Sequence, residues 1–217
     1  MGYRLRTIYI LIPLFVLLFV PAALPAYESG LAENARSLIP PPSLKVSSWL
    51  LMDSRTGTII AAENQNKRVE PASLSKLMTA YVVFQEIQRG ILGLDEEVTV
   101  SERAWKTVGS RMFIEPDDRV RVEDLLLGLI VQSGNDAAVA LAEHVAGSEA
   151  GFADLMNQAA VKMGLKNTHF VNSTGLPHPD HFSTAYDISE ITRTIIQEQP
   201  EHYGYYAIPE FTWNGIT

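Results

Sequence analysis

Read from residue patterns alone, this chain is an α+β protein: a small antiparallel sheet at the front and a mostly helical interior. Two short strand-like runs, Ser47–Met52 and Gly57–Ala62, flank the turn Asp53-Ser54-Arg55-Thr56, which predicts a hairpin. Apolar residues at helical spacing then recur in one stretch after another between Ser73 and Gln199. With 47% hydrophobic and 19% charged residues among 217, the chain can bury one substantial core and is no disordered polymer. Two or three short strands make a marginal sheet by themselves, so helices are expected to cover it.

The elements follow in order. Polar residues Glu63 to Arg68 lead to Pro71, a residue suited to a helix entrance. From Ser73 to about Gln88, apolar Leu74, Leu77, Met78, Tyr81, Val82, Phe84 and Ile87 cover most of the helix circumference, predicting a centrally buried helix that ends at Gly90. Glu97 to Val100 reads as a short strand, and Ser101 caps a brief helix carrying Trp105. Val122 to Val131 is a strongly apolar helix with acids at its favourable N-terminal end, stopping at Ser133-Gly134. Asn135 or Asp136 is expected to cap a helix over Ala137–Ala146, closed by Gly147. A further helix spans about Glu149 to Met163. The loop Asn172–Ser183 then precedes a helix over Ala185–Gln199 that Pro200 terminates. Tyr205 to Ile216 suggests a new strand or hairpin.

Within this frame, Ser73 and Lys76 sit one helical turn apart on one face. A serine hydroxyl is a weak nucleophile until a neighbouring base takes its proton, and a partly desolvated lysine can be that base. The pair points to acyl transfer through a serine ester. Its bland counterpart is a helix start with a capping serine and a solvated lysine. Ser133-Gly134-Asn135, between two helices, shifts the balance by offering a second hydroxyl as proton shuttle and an amide to orient a carbonyl.

The front of the chain has its own chemistry. Arg4 and Arg6 precede an apolar run from Ile8 to Leu18, and small residues with prolines follow through Ala26. Residues 1–26 therefore read as a secretory signal peptide cleaved after Ala26, residues 27–43 as a flexible lead-in, and 44–217 as the folded domain. An uncleaved inner-membrane anchor is the alternative use of the first segment. Export places the protein in the periplasm or on the outer face of the bacterial cytoplasmic membrane, and with no cysteine the fold relies on its core alone. The net charge of −8 becomes about −10 without Arg4 and Arg6, which disfavours nucleic acid as a partner.

The residues around both motifs carry a specific resemblance. Glu70-Pro71-Ala72-Ser73-Leu74-Ser75-Lys76-Leu77-Met78-Thr79 and Ser133-Gly134-Asn135-Asp136-Ala137-Ala138 resemble low-molecular-mass penicillin-binding proteins, more narrowly serine D-alanyl-D-alanine carboxypeptidases. Gly164-Leu165-Lys166-Asn167-Thr168-His169-Phe170, Asn172-Ser173-Thr174-Gly175-Leu176 and Phe211-Thr212-Trp213-Asn214 are similar to the same family. The resemblance implies a β-lactamase/transpeptidase-like fold with a helical lobe, acting on the peptidoglycan stem peptide, with β-lactams as covalent inhibitors and no cofactor. Carried over by motif, Ser73 is the acylated nucleophile, Lys76 the proton acceptor, Ser133 the proton relay and Asn135 the binder of the peptide carbonyl. The family's third motif, Lys-Thr-Gly, lies on a strand beyond the segment where this chain ends, so a truncated chain with an incomplete sheet is expected. Lys106-Thr107-Val108-Gly109 is a decoy, with an extra residue and the wrong position in the order.

A class A β-lactamase shares Ser-x-x-Lys but carries Asp where Gly134 sits and needs a glutamate-held water, for which no counterpart is found. An inert fragment or a non-catalytic peptidoglycan-binding module fits a chain without the third motif. His178 and His181 invite a metal reading, but they fall in a proline-rich loop with no further ligand at diagnostic spacing, so a solvated loop and no metal are expected.

Overall fold

The computed structural model describes residues 42–217. The signal-peptide segment and nearly all of the lead-in lie outside them. β1 (Trp49–Met52) and β2 (Ile59–Glu63) form the expected antiparallel hairpin, with Trp49 opposite Glu63 and an irregularity between Leu51 and Met52. Asp53 closes the turn: its carboxylate accepts from Thr56 N–H at 2.7 Å and from the Thr56 hydroxyl at 2.8 Å.

A 3-10 turn over Ala72–Leu74 then leads into α1 (Ser75–Gln88). The helix does run through the middle of the molecule. Met78, Ala80, Val83 and Phe84 have no solvent exposure, and α1 packs against four other helices. These are α3 (Val122–Val131), α4 (Asn135–Ala146), α5 (Glu149–Lys162) and α6 (Ala185–Glu198). Gly90 ends α1 in the left-handed region at φ +70°, as its place in the sequence predicted.

β3 (Glu97–Thr99) pairs antiparallel with β4 (Arg119–Arg121), a strand the sequence did not reveal. Three residues of Arg-Val-Arg offer one buried side chain, Val120, too little for an alternating pattern. Between these strands, α2 (Glu102–Lys106) is capped by Ser101 Oγ accepting from Ala104 N–H at 3.0 Å.

The capping expectation for α4 needs correction. Asn135 and Asp136 lie inside the helix and Gly134 occupies the cap position, with no side-chain cap bond. Fully buried Asp136 reaches outward instead, accepting from Met112 N–H at 3.0 Å, Phe113 N–H at 2.8 Å and Ile114 N–H at 3.3 Å. The positive end of α4 favours that anion, and the anion fixes the loop leading out of α2. Small residues Ala137, Ala138, Ala140 and Ala142 are all buried, which lets α4 lie close to its neighbours.

Pro200 does not simply terminate α6. It opens a separate short helix, α7 (Pro200–Tyr203), where a missing N–H is no loss, and a 3-10 turn over Gly204–Ala207 follows. At the end, Trp213 and Ile216 exchange backbone bonds of 2.9 and 2.8 Å around Asn214 and Gly215, at φ +48° and +80°. This is the tight hairpin turn that Asn-Gly favours, without strands on either side. Among the described residues no helix is long and apolar enough to cross a membrane.

Replacing Asp136 by Ala leaves three backbone N–H groups of the 112–114 segment without an acceptor. Equilibrium urea unfolding should show a loss of about 2–4 kcal/mol.

Candidate active site

The first turn around α1 is built against steric preference. Ala72, a non-glycine residue, is held at φ +48°, and Ser73 follows it on the exposed surface. What holds the turn is a backbone-on-backbone contact with a distant loop. A Cβ on Gly175 (φ +85°) would stand 1.8 Å from the Ala72 carbonyl oxygen, so only glycine fits there.

Residue 174, next to this contact, supplies the carbonyl that completes the site. Lys76 Nζ lies 3.1 Å from Ser73 Oγ and 2.8 Å from Thr174 O. Lys76 is only 6% exposed, and loss of solvent alone pushes its pKa from 10.5 down to about 8. With one N–H donated to Thr174 O, the neutral amine keeps its lone pair for the Ser73 proton. Ser73 and Lys76 thus meet as their spacing suggested, and the lysine is desolvated, unlike a solvated surface charge.

The Thr174 carbonyl is held by a polar network. Asn172 Oδ1 accepts from Gly175 N–H at 2.7 Å and from Thr174 N–H at 3.2 Å. Ser173 donates from its N–H (3.1 Å) and its hydroxyl (2.9 Å) to Glu149 Oε1, and its carbonyl accepts from the Thr79 hydroxyl at 2.7 Å. Glu149, buried at the start of α5, is paired on its other oxygen with Arg103. On the other side, Val171 N–H donates to His181 Nδ1 at 3.2 Å, so the neutral ring donates from Nε2 to Ser75 Oγ at 2.8 Å.

Ser133 reaches the same place from the end of α3. Its backbone is left-handed at φ +56°, and it lines a cavity of about 140 Å³ together with Ser73, Lys76, Leu77, Leu129, Ile130 and Tyr206. Asn135 is the exception. Its side chain is buried and its Nδ2 donates to Val108 O at 2.6 Å, so it holds the loop after α2 and does not line this cavity. Gly109 is shaped for that arrangement, since a Cβ there would come within 2.5 Å of Nδ2.

One reading of the surroundings changes. His181 is not part of a solvated loop: it is 2% exposed, packs edge-on against Phe170, and is driven down to a pKa of about 4, chiefly by burial. Lys106 of the decoy sequence sits on the exposed end of α2, bonded to Glu102 at 2.6 Å. Among the described residues no group of three or more His, Cys, Asp or Glu side chains is arranged to hold a metal ion. Sequence reasoning missed Thr174, Glu149, His181 and Tyr206. Glu149 looked like any acid in a first helical turn, and a backbone carbonyl has no sequence signature.

The model of the D-alanyl-D-alanine carboxypeptidase family matches residues 35–217. The chain belongs to that family. It is similar to the D-alanyl-D-alanine carboxypeptidase DacD of Escherichia coli K12, at 46% identity over 192 residues, 86% of this chain and 50% of that protein. Among solved structures it is similar to penicillin binding protein 5 from Haemophilus influenzae, with TM-score 0.80 and 41% identity over 82% of this chain and 53% of the other. It is equally similar to penicillin binding protein 6B from Escherichia coli, with TM-score 0.79 and 46% identity, covering 82% and 58%. The fold is therefore of the transpeptidase type. The chain spans about half the length of the curated relatives it matches.

Lys76 should titrate near pH 8 when its side-chain resonance is followed by NMR; a value near 10.5 would mean a solvated amine. The sign for stability follows. Between about 8 and 10.5 the unfolded chain holds this proton and the folded chain does not, so stability rises with pH through that window.

Proposed function

We propose that this chain carries the acylating machinery of a serine D-alanyl-D-alanine carboxypeptidase, removing the terminal D-alanine from peptidoglycan pentapeptide stems in cell-wall biogenesis. The observation that carries this is the desolvated Lys76 amine, 3.1 Å from Ser73 Oγ and steered by Thr174 O. Neutral Lys76 takes the Ser73 proton as Oγ attacks the carbonyl carbon of the penultimate D-alanine. In the tetrahedral intermediate, charge on the former carbonyl oxygen is favoured by the Ser73 backbone N–H and by the positive end of α1. Lys76 returns the proton through the Ser133 hydroxyl to the leaving nitrogen. The C–N bond breaks, free D-alanine departs, and an ester on Ser73 remains. Water then hydrolyses the ester and regenerates the hydroxyl.

Ser73, Lys76 and Ser133 share one cavity, which supports these roles. Asn135 acts at one remove, fixing the Val108–Ser110 edge through the bonds of its amide and backbone N–H. β-Lactams, which present a strained amide in place of the D-alanyl-D-alanine bond, acylate the same serine. Substrate and inhibitor both lie outside the cytoplasm, in keeping with export by the first 26 residues, as a cleaved signal or an inner-membrane anchor. The folded carboxypeptidase domain then begins at about residue 44.

A fluorescent penicillin tests this on the 217-residue chain. Covalent labelling should appear and vanish in Ser73→Ala, whereas labelling that survives would put the nucleophile elsewhere. Lys76→Ala should slow acylation by roughly a hundredfold or more with the fold intact. The acylation rate should climb with pH and reach half its plateau near pH 8, as the amine loses its proton. Binding to cell walls without any labelling would point instead to a non-catalytic peptidoglycan-binding module.

A further inference from the structure

A buried imidazole and a buried hydroxyl meet behind the reacting pair, and neither of them touches the reacting atoms. Ser75 has no solvent exposure and His181 is 2% exposed. Ser75 Oγ stands 2.8 Å from His181 Nε2, across 106 positions of chain. The ring's other nitrogen, Nδ1, accepts from Val171 N–H at 3.2 Å. Both nitrogens are therefore used, and they join two segments: the first turn of α1 and the start of the loop that carries Thr174. Packing does not ask for these polar atoms, since apolar side chains of the same shape would fill the space with nothing left to satisfy.

What lies at the two ends of the ring gives the pair its place in the site. Ser75 directly precedes Lys76, and Val171 lies three residues before Thr174. The same hydroxyl also meets the far end of the loop. A Cβ on Gly175 would come within 2.9 Å of Ser75 Oγ, besides striking Ala72 O. Segment 171–175 is thus held against the start of α1 at both ends, at Val171 through the ring and at Gly175 by close contact. Between these ends, Thr174 O takes the Lys76 amine at 2.8 Å. Burial first, then the charges of His169 and His178, keep the imidazole neutral, with one donor and one acceptor. Both contacts need that form, because a proton on Nδ1 would oppose the Val171 N–H. Lys76 is shifted by desolvation alone, so its titration reports whether the loop keeps water out.

Building on the acyl-enzyme function above, we propose that Ser75 and His181 are positioning residues of acylation. The bond from Nε2–H to Oγ locks the Thr174 loop onto the first turn of α1, and so keeps the Lys76 amine dry and aimed at Ser73. Neither residue meets the substrate; both act through the Thr174 carbonyl.

Ser75→Ala removes one oxygen from the pair, and His181→Ala removes the ring. In the full chain, the limiting rate of acylation by a fluorescent penicillin should fall roughly tenfold or more in either variant, with the half-saturating concentration within about twofold of the parent. The pH at which that rate is half-maximal should move up from about 8 toward the 10.5 of a solvated amine. A mere loss of stability moves neither quantity once the folded fraction is counted. His181→Gln can accept from Val171 N–H and donate to Ser75 Oγ, so it should recover most of the parent's rate and pH midpoint. Rate and midpoint both unchanged in Ser75→Ala, with or without a lower melting temperature, would make the pair structural and overturn its role. A His181→Gln variant as slow as His181→Ala would assign the effect to the ring's packing and overturn it too. If His181→Ala does not fold, Ser75→Ala and His181→Gln decide. If the parent chain is never labelled, the acyl-enzyme function fails, and NMR titration of Lys76 in Ser75→Ala then judges the pair: a value above the parent's upholds it, and an unchanged one sinks it.

Discussion

Taking one lysine out of water is the constraint around which the rest of this protein is arranged. A primary amine in solvent is protonated at neutral pH and cannot accept a proton from serine. Lys76 can, because it is held with 6% exposure between Ser73 Oγ and the Thr174 carbonyl, and its pKa falls to about 8. At pH 7 that leaves roughly a tenth of the amine neutral, against well under a thousandth for a free lysine. Burial without a partner would be far more costly, so the carbonyl at 2.8 Å is as necessary as the absence of water.

That carbonyl belongs to a residue 98 positions away from the lysine along the chain, and much of the fold serves to hold it still. Gly175 lets the loop touch the Ala72 backbone, and Asn172 ties the loop to itself. Ser173 is clamped between Glu149 of α5 and Thr79 of α1. His181, neutral in its buried setting, pins the returning strand of the loop to Ser75. Left-handed backbones at Ala72 and Ser133 stand at the same site, with strain accepted where geometry matters most and offset by the surrounding core. Asp136 does comparable work on the other wall by gathering three backbone N–H groups from the loop after α2.

Legibility in the sequence tracked the range of the interactions involved. The bounds of α3 were visible at both ends, because ten residues with apolar periodicity and two leading acids suffice to write a helix. The β1–β2 hairpin was equally plain from its turn residues. β4 was hidden because a three-residue strand exists only through its pairing with β3. Asn135 was legible as a functional residue type, yet its amide is directed at Val108 O by packing that no local pattern encodes. His181 looked solvated because the prolines around it mark a loop, and nothing in a loop's composition says that its histidine folds inward.

By itself the sequence determined that Ser73 stands three residues before Lys76 at a helix entrance, a local spacing that lets the two side chains meet across one turn. It also determined the family, since ordered motifs run through most of the chain. Only the tertiary structure decided that the lysine is dry, that Thr174 O steers it, and that Ser133 and Tyr206 open onto the same cavity. Desolvation is a sum over neighbours brought from every part of the chain, and no local stretch of residues can state it.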